Sequence, residues 1–579
     1  MSFSPFIRWA WAILAIWITS GSVYARLDEP ELHRPNVLLI MSDDQGYGDL
    51  GFHGNPRIQT PRIDALARES ARFKSFYVSP VCSPTRSSLM TGRYHMRTGV
   101  VDTYRGRSMM HPDEVTIAEM LAQGGYRTGI FGKWHLGDNA PLRSIDQGFQ
   151  ESLVHRGGGL TQPSDWPGNT YFDPILSHNG KPEKTHGYCS DVYTNAAIRF
   201  IEADRSKPFF AYLAFNTPHT PLQVPEADLK PYLDAGAAPN PKPGEVAEQT
   251  ARVYGMVTNL DRNVGRILDQ IERLGLTRET IVIFLSDNGP QQPRENAGLR
   301  GQKGSVFDGG IKSPCFIRWP GTLEPGRVVE PIAAHLDLAP TLLAASGVEK
   351  PPGVAFDGRN LLPLLKGEKV DWPERTLYFQ WHRGDVPELH RAFAARSSRF
   401  KLAQPLGTDP IPPTGPTPYL LFDLLADPSE ARDIADRHPE IVASMLRDYE
   451  AWFDEVNSAR RFEPPRIYLG SDLEEPVTLT RQDWRGEAFV KNSTEMGGWE
   501  VDVIRGGRFD ITLHFDYGPA GQARLNLGRT EGRREIGPNA TSCRFEGVEL
   551  APGPGRLRAW VEGPKGLIGA NQIELSRRD

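Results

Sequence analysis

Short apolar runs that each end in a polar cluster set the pattern of the first half of the chain. Asn36-Val-Leu-Leu-Ile-Met41 runs into Ser42-Asp43-Asp44, and Thr128 to Phe131 runs into Gly132-Lys133-Trp134-His135. Pro208 to Phe215 leads into Asn216-Thr217-Pro218-His219, and Thr280 to Leu285 into Ser286-Asp287-Asn288. A continuous apolar run without polar alternation fits a strand covered on both faces. Helical stretches lie between the runs, clearest where Val253, Val257, Leu260, Val264, Ile267 and Ile271 recur at steps of three and four. Strands alternating with helices predict an α/β fold with a largely parallel sheet, whose ligands sit beyond the carboxyl ends of the strands. The four polar clusters should then meet at one rim.

The pattern changes after about Gly358. Arg375 to Trp381, Phe393 to Leu402 and Tyr419 to Phe422 predict short strands, followed by a helix from Pro439 to Val456. Beyond Glu474 it changes again: Phe509, Ile511, Leu513 and Phe515 alternate with Asp510, Thr512 and His514 after a Gly506-Gly507 turn, and Leu557, Ala559 and Val561 repeat the alternation. Strict alternation with frequent turn signals predicts a β-sandwich. The expected organisation is a main α/β unit over 26–358, a smaller α+β unit over 359–474 and an accessory sandwich over 475–579. Ala235 to Gly244, rich in Pro and Ala, predicts a surface loop.

Composition narrows the class. The 579 residues are 39% hydrophobic and 24% charged with a formal net charge of −6, which excludes both a disordered chain and a strongly basic nucleic-acid binder. Met1 to Ala25 carries Arg8, an apolar run from Trp9 to Ile18 and a Val23-Tyr24-Ala25 ending, the layout of a cleavable export signal. The run is shorter than the ~20 apolar residues a membrane span needs, and no later segment is apolar enough to cross a bilayer. A periplasmic or secreted protein is expected, in an oxidising, calcium-rich compartment. Four scattered cysteines, Cys82, Cys189, Cys315 and Cys543, are too few for a disulfide framework and lack zinc-site spacing, leaving room for at most two bridges.

One segment changes the picture. Val81-Cys82-Ser83-Pro84-Thr85-Arg86-Ser87-Ser88-Leu89-Met90-Thr91-Gly92-Arg93 resembles the sulfatase signature C-x-P-[ST]-R-x4-T-G-R. Gly125-Tyr126-Arg127-Thr128, Gly132-Lys133 and His135 match a second element of the same family, G-Y-x-[ST]-x3-G-K-x-H. The resemblance covers roughly 35–470 and implies an alkaline-phosphatase-like mixed sheet sandwiched by helices. It also implies that Cys82 is oxidised to formylglycine by a formylglycine-generating or anaerobic sulfatase-maturing enzyme. Such a change makes chemical sense, because hard cations prefer oxygen to sulfur and a hydrated aldehyde carries two hydroxyls. One can take sulfate; loss of the proton from the other then expels it without water attacking sulfur.

The resemblance also distributes roles. Asp43, Asp44, Asp287 and Asn288, with the hydrate of residue 82, would hold one calcium ion. Adjacent aspartates within a regular strand point to opposite faces, so Asp43 and Asp44 must lie past its end to share an ion. Arg86 would donate to the hydrate, Lys133 and Lys303 would bind sulfate oxygens, His135 would take the hydrate proton on sulfate release, and His219 with Lys303 would face the leaving oxygen. His382 and Arg383, near Trp381, and likewise His155, Arg156 and Trp166, are read either as substrate contacts or as exposed loop residues. The expected activity is hydrolysis of a sulfated carbohydrate or aryl sulfate. Two alternatives stand beside it: a phosphoester or phosphonate monoester hydrolase of the same superfamily, and an inactive glycan-binding protein whose Cys82 stays a thiol.

Overall fold

The computed structural model describes residues 34–235, 244–486, 497–515, 518, 520–564 and 566–578. The export signal over 1–25 and residues 236–243 of the Pro- and Ala-rich loop lie outside these.

The apolar runs form the middle of a ten-stranded sheet. Asn36–Ser42 is buried along its whole length and runs parallel to Phe209–Ala214 on one side and Thr280–Ser286 on the other. Arg127–Lys133 and then Glu151–His155 extend the sheet, both parallel. Alternation sends Val37, Leu39 and Met41 into one core and Leu38 and Ile40 into another, which is why the run shows no polar positions. The helix Ala247–Arg273 covers one face and buries Leu260, Val264 and Ile267 there. The short helix Cys82–Thr91 is buried on the other, with Leu89 and Met90 in its core.

The sheet is mixed, as the resemblance implies, and parallel through its middle, as the alternation of strands and helices predicts. Antiparallel pairs flank that middle: Cys315–Arg318 lies between Thr280–Ser286 and Ala71–Phe73 on one side, where Val328–Val329 forms a parallel edge, and the hairpin Ile175–His178 with Lys181–Lys184 closes the other side. Asn179 and Gly180, at φ 49° and 83°, make the tight turn of that hairpin. The segment 393–402 is likewise two strands, Phe393–Arg396 and Phe400–Gln404, in a four-stranded antiparallel sheet. The polar stretch Arg396-Ser397-Ser398-Arg399 turns the chain, Ser397 Oγ accepting from the Phe400 amide at 3.0 Å.

Near the carboxyl terminus two further sheets share one core, which joins Trp499 and Val501 to Ile511, Leu513 and Leu575. Ile467–Leu469, ahead of the division expected at 475, already pairs with Gly497–Val503. Met109 and Leu142 of the α/β unit belong to the same core. The other three cysteines sit in three different cores, so no bridge forms and all four cysteines are free. Among the described residues no helix is long and apolar enough to cross a membrane.

The seam between these parts buries acid. Neither carboxylate oxygen of Asp483 has a hydrogen-bond partner among the described residues, while Asp138 accepts from the Gly157 amide at 2.8 Å. Burial and then the charge of Asp138 push the Asp483 carboxyl well up, and burial raises Asp138 to about 6. An acid whose folded pKa exceeds its unfolded value binds its proton more tightly in the native state, so stability falls as pH rises through that interval. Asp483→Asn is therefore expected to stabilise the fold by about 2 kcal/mol at about pH 7.5 and by much less at about pH 5. Thermal unfolding at the two pH values checks the difference.

Candidate active site

The strand ends bring the polar clusters together. Asp44, the second residue past the first strand, takes a left-handed conformation, φ 62°, which breaks the alternation and lets both aspartates serve one side. Ligand atoms of Asp43, Asp44, Cys82 and His219 all lie within 4.8 Å of one another. Asp287 Oδ1 accepts from the Asp44 amide at 3.1 Å, and Asn288 Nδ2 donates to Asp44 Oδ1 at 2.8 Å. Cys82, the first residue of its helix, is 2% exposed, with Sγ 3.6 Å from Asp43 Oδ1. Burial pushes its thiol up to about 12, against the pull of Lys133 and Lys303.

Two lysines reach into this cluster. Lys133 Nζ lies 2.6 Å from Asp43 Oδ2, and Lys303 Nζ lies 2.7 Å from Asp44 Oδ1. Gly132 makes the first approach possible: a Cβ there would stand 1.8 Å from the Ala214 carbonyl oxygen. Asp44 is held well below the ordinary carboxylate range, burial being outweighed by Lys303, His219 and Lys133 together. Lys303 is raised despite its burial by Asp44 and Cys82.

Arg86 does not bond Cys82. It donates to Asp287 Oδ2 at 2.8 Å and to the Lys133 carbonyl at 3.0 Å, its long side chain passing the first turn of the helix to bind the next strand end. Its Nε stays buried without a partner among the described residues.

Burial lowers the pKa of both histidines. His135 Nε2 donates to the Thr103 carbonyl at 2.6 Å, leaving Nδ1 buried and unpartnered among the described residues; burial, with Lys133 and Arg86, drives its pKa well down. Gly158 packs on this ring, since a Cβ would lie 2.9 Å from His135 Cε1. His219 Nδ1 donates to the Thr220 carbonyl at 2.6 Å, which leaves Nε2 as an acceptor 3.7 Å from Asp44 Oδ2. Burial lowers its pKa to about 3, the charge of Asp44 opposing.

A cleft of about 860 Å³ opens above Cys82, His135, His219 and Lys303. Trp381 and Arg383 line it, both anchored on Asp102 Oδ1 at 3.0 and 2.8 Å. His382 turns away and accepts from the Glu388 amide at 2.9 Å. His155, Arg156 and Trp166 are not part of this lining; Arg156 stacks on Trp166 at 4.6 Å.

Sequence patterning missed two supports of the site. Arg294, fully buried, pairs with Asp49 at 2.6 Å and donates to the Asp44 carbonyl at 3.0 Å, fixing the turn that carries both aspartates. Thr85 Oγ1 donates to the Asp287 carbonyl at 2.7 Å. The polar density of Ser42 to Asp49 after an apolar strand is the one signal that pointed to the first.

Residues 35–348 match the family model Sulfatase, and residues 302–451 match the model N-sulphoglucosamine sulphohydrolase, C-terminal. The chain belongs to the sulfatase family. Arylsulfatase A of Bos taurus is 33% identical to it, over 76% of this chain and 91% of that protein. N-acetylgalactosamine-6-sulfatase of Homo sapiens is 33% identical, over 61% of this chain and 69% of its own. The solved structure of Ps i-CgsB in complex with k-i-k-neocarrahexaose, 29% identical, aligns with a TM-score of 0.63 over 72% of this chain and 92% of that one. The protein is thus a sulfatase, a hydrolase of sulfate esters on the alkaline-phosphatase-like fold.

Proposed function

We propose that this sulfatase removes sulfate from a sulfated carbohydrate outside the cytoplasm, in the periplasm or after secretion, using a formylglycine made from Cys82 and one calcium ion. The observation that carries the reading is the burial of a cysteine at a helix start against Asp43, where its thiol, at about 12, is no nucleophile at neutral pH. The export pattern of Met1 to Ala25 supports the location and implies an encounter with a maturing enzyme on the way.

The donor set fits calcium. Asp43, Asp44, Asp287 and Asn288 offer hard oxygens, and Asn288 Oδ1 is buried with no hydrogen-bond partner among the described residues. Calcium would supply positive charge to a sulfate oxygen and to the hydroxyl at residue 82, and formylglycine would supply the paired hydroxyls.

The chain's own groups do the rest. Lys133 and Lys303 present fixed ammonium groups to sulfate oxygens as charge grows on them. Arg86 positions Asp287 and the Lys133 backbone rather than the substrate. His135, neutral and with Nδ1 unshared, can accept the proton from the second hydroxyl. Lys303 and His219 Nε2 face the leaving oxygen, where the charged lysine can hand over a proton.

The alternatives are less well supported. A two-metal phosphatase site would need a second ligand cluster, and the described residues contain a single one, that of Asp43, Asp44, Cys82 and His219. Purified protein should hydrolyse nitrophenyl sulfate with a kcat/KM at least about 100-fold above that for nitrophenyl phosphate or phosphonate. The reverse preference would favour the phosphonate reading, and no turnover with an intact thiol the glycan-binding one. Release of sulfate from a sulfated disaccharide checks the substrate class, which the names of the N-acetylgalactosamine-6-sulfatases support.

A further inference from the structure

One wall of the cleft is built by chain beyond residue 451, where both family matches have ended: Arg481, Gln482 and Trp484 line it beside Cys82 and His135. These residues follow the strand Val477–Thr480, and a short 3-10 turn, Arg481–Asp483, carries them to the cleft. The turn is clamped on the loop around Thr103. Gln482 Nε2 donates to the Thr103 carbonyl at 2.9 Å, the same oxygen that orients His135, and the Gly106 amide donates to the Gln482 carbonyl at 2.7 Å. Arg485 Nη2 donates to the Gly106 carbonyl at 2.8 Å.

Charge in the cleft is lopsided. Its lining includes Lys303, Arg383 and Arg481 and contains no aspartate or glutamate. Lys303 is balanced by Asp44 and Arg383 by Asp102. Among the described residues Arg481 forms no ion pair, its Nε is buried without a hydrogen-bond partner, and its Nη2 reaches only the Gly569 carbonyl, at 3.4 Å. Its guanidinium lies 5.2 Å from the Trp484 ring, which is itself stacked on Trp499. A half-buried cation set over an aromatic face, with its Nε buried and unbonded and no acid within ion-pair reach among the described residues, is suited to a planar or tetrahedral oxyanion.

We propose that Arg481, braced by Trp484 and by the Gln482 clamp, forms a second anion subsite, which binds a sulfate or carboxylate that the substrate carries apart from the ester being cleaved. The inference rests on the reading of the cleft as that of a glycan sulfatase and deepens it. The carboxyl-terminal sheets then act as part of the active site, selecting sugars with more than one negative charge.

The test uses the mature full-length enzyme, nitrophenyl sulfate and three disaccharides sharing one sulfate position: one with a second sulfate, one with a uronate carboxylate, one otherwise neutral. Wild type should prefer one or both doubly charged sugars, the two arms telling sulfate from carboxylate. Arg481→Ala should lower kcat/KM for the preferred sugar by about 30-fold or more, mainly through KM. The ratio of preferred to neutral sugar should collapse towards one, and Arg481→Lys should recover part of it. An equal loss on the neutral sugar and on nitrophenyl sulfate would assign Arg481 a structural role and overturn the subsite, as would a wild-type enzyme indifferent to the second charge. Absence of wild-type turnover on nitrophenyl sulfate and on all three sugars would instead strike the glycan-sulfatase reading itself.

Discussion

Cys82→Ser is expected to lose steady-state sulfatase activity by about four orders of magnitude or more. Serine keeps the size, the place at the start of the helix and the approach to Asp43 that Sγ makes at 3.6 Å. It keeps one oxygen and lacks the second. A serine hydroxyl can take sulfate from an ester once, releasing one equivalent of alcohol. No neighbouring hydroxyl is then present on the same carbon to give up a proton and push sulfate off. Stopped-flow release of nitrophenol should therefore show at most one equivalent per site, and intact-mass measurement should find the added sulfate. Wild-type material should carry an aldehyde at residue 82 by peptide mass spectrometry. Repeated turnover by the serine variant, or full activity with sulfur retained at residue 82, would remove the basis of the proposed chemistry. An unmodified thiol raised to about 12 offers no substitute, since almost none of it is thiolate at neutral pH.

What the sequence could and could not announce follows from how each contact is made. Asp43, Lys133, His219 and Asp287 were legible because each follows an uninterrupted apolar strand, and parallel strands deliver their carboxyl ends to one edge. The Asp49–Arg294 pair was not, because 245 positions separate its members and neither stands in a periodic pattern. Arg86 was expected to donate to the hydrate of residue 82; with a thiol there, its guanidinium meets the next strand end instead. Helical spacing fixes direction but not how far a guanidinium reaches, and here it reaches Asp287. Arg383 enters the cleft while its neighbour His382 leaves it, a choice made by the local turn. The hairpin at Asn179-Gly180 carried its own turn signal. Gln482 had no signal at all: its role depends on a sheet docking against Thr103, a contact across 379 residues.

Chelation should have the second large effect, and it should depend on pH in a direction the site fixes. Asp43, Asp44 and Asp287 are fully or almost fully buried, and each already has a cationic partner in Lys133, Lys303 or Arg86. Even so, burial and the neighbouring Asp43 charge raise Asp287 to about 6. In the metal-free protein this acid keeps its proton above the unfolded pKa, so native stability falls as pH climbs from about 4 to about 6. A bound divalent cation removes that penalty by favouring the carboxylate, and its uptake releases protons. Calcium should therefore raise the unfolding temperature more at about pH 7.5 than at about pH 5, with a stabilisation of about 4 kcal/mol at a thousandfold excess over its dissociation constant. Exhaustive chelation is expected to lower activity by about 1,000-fold, with calcium restoring it better than magnesium because the donor set is rich in carboxylate. Asp43→Asn should reproduce the loss and also abolish the calcium-induced shift in unfolding temperature. Activity untouched by chelation, or a shift that survives Asp43→Asn undiminished, would place the metal elsewhere or dispense with it.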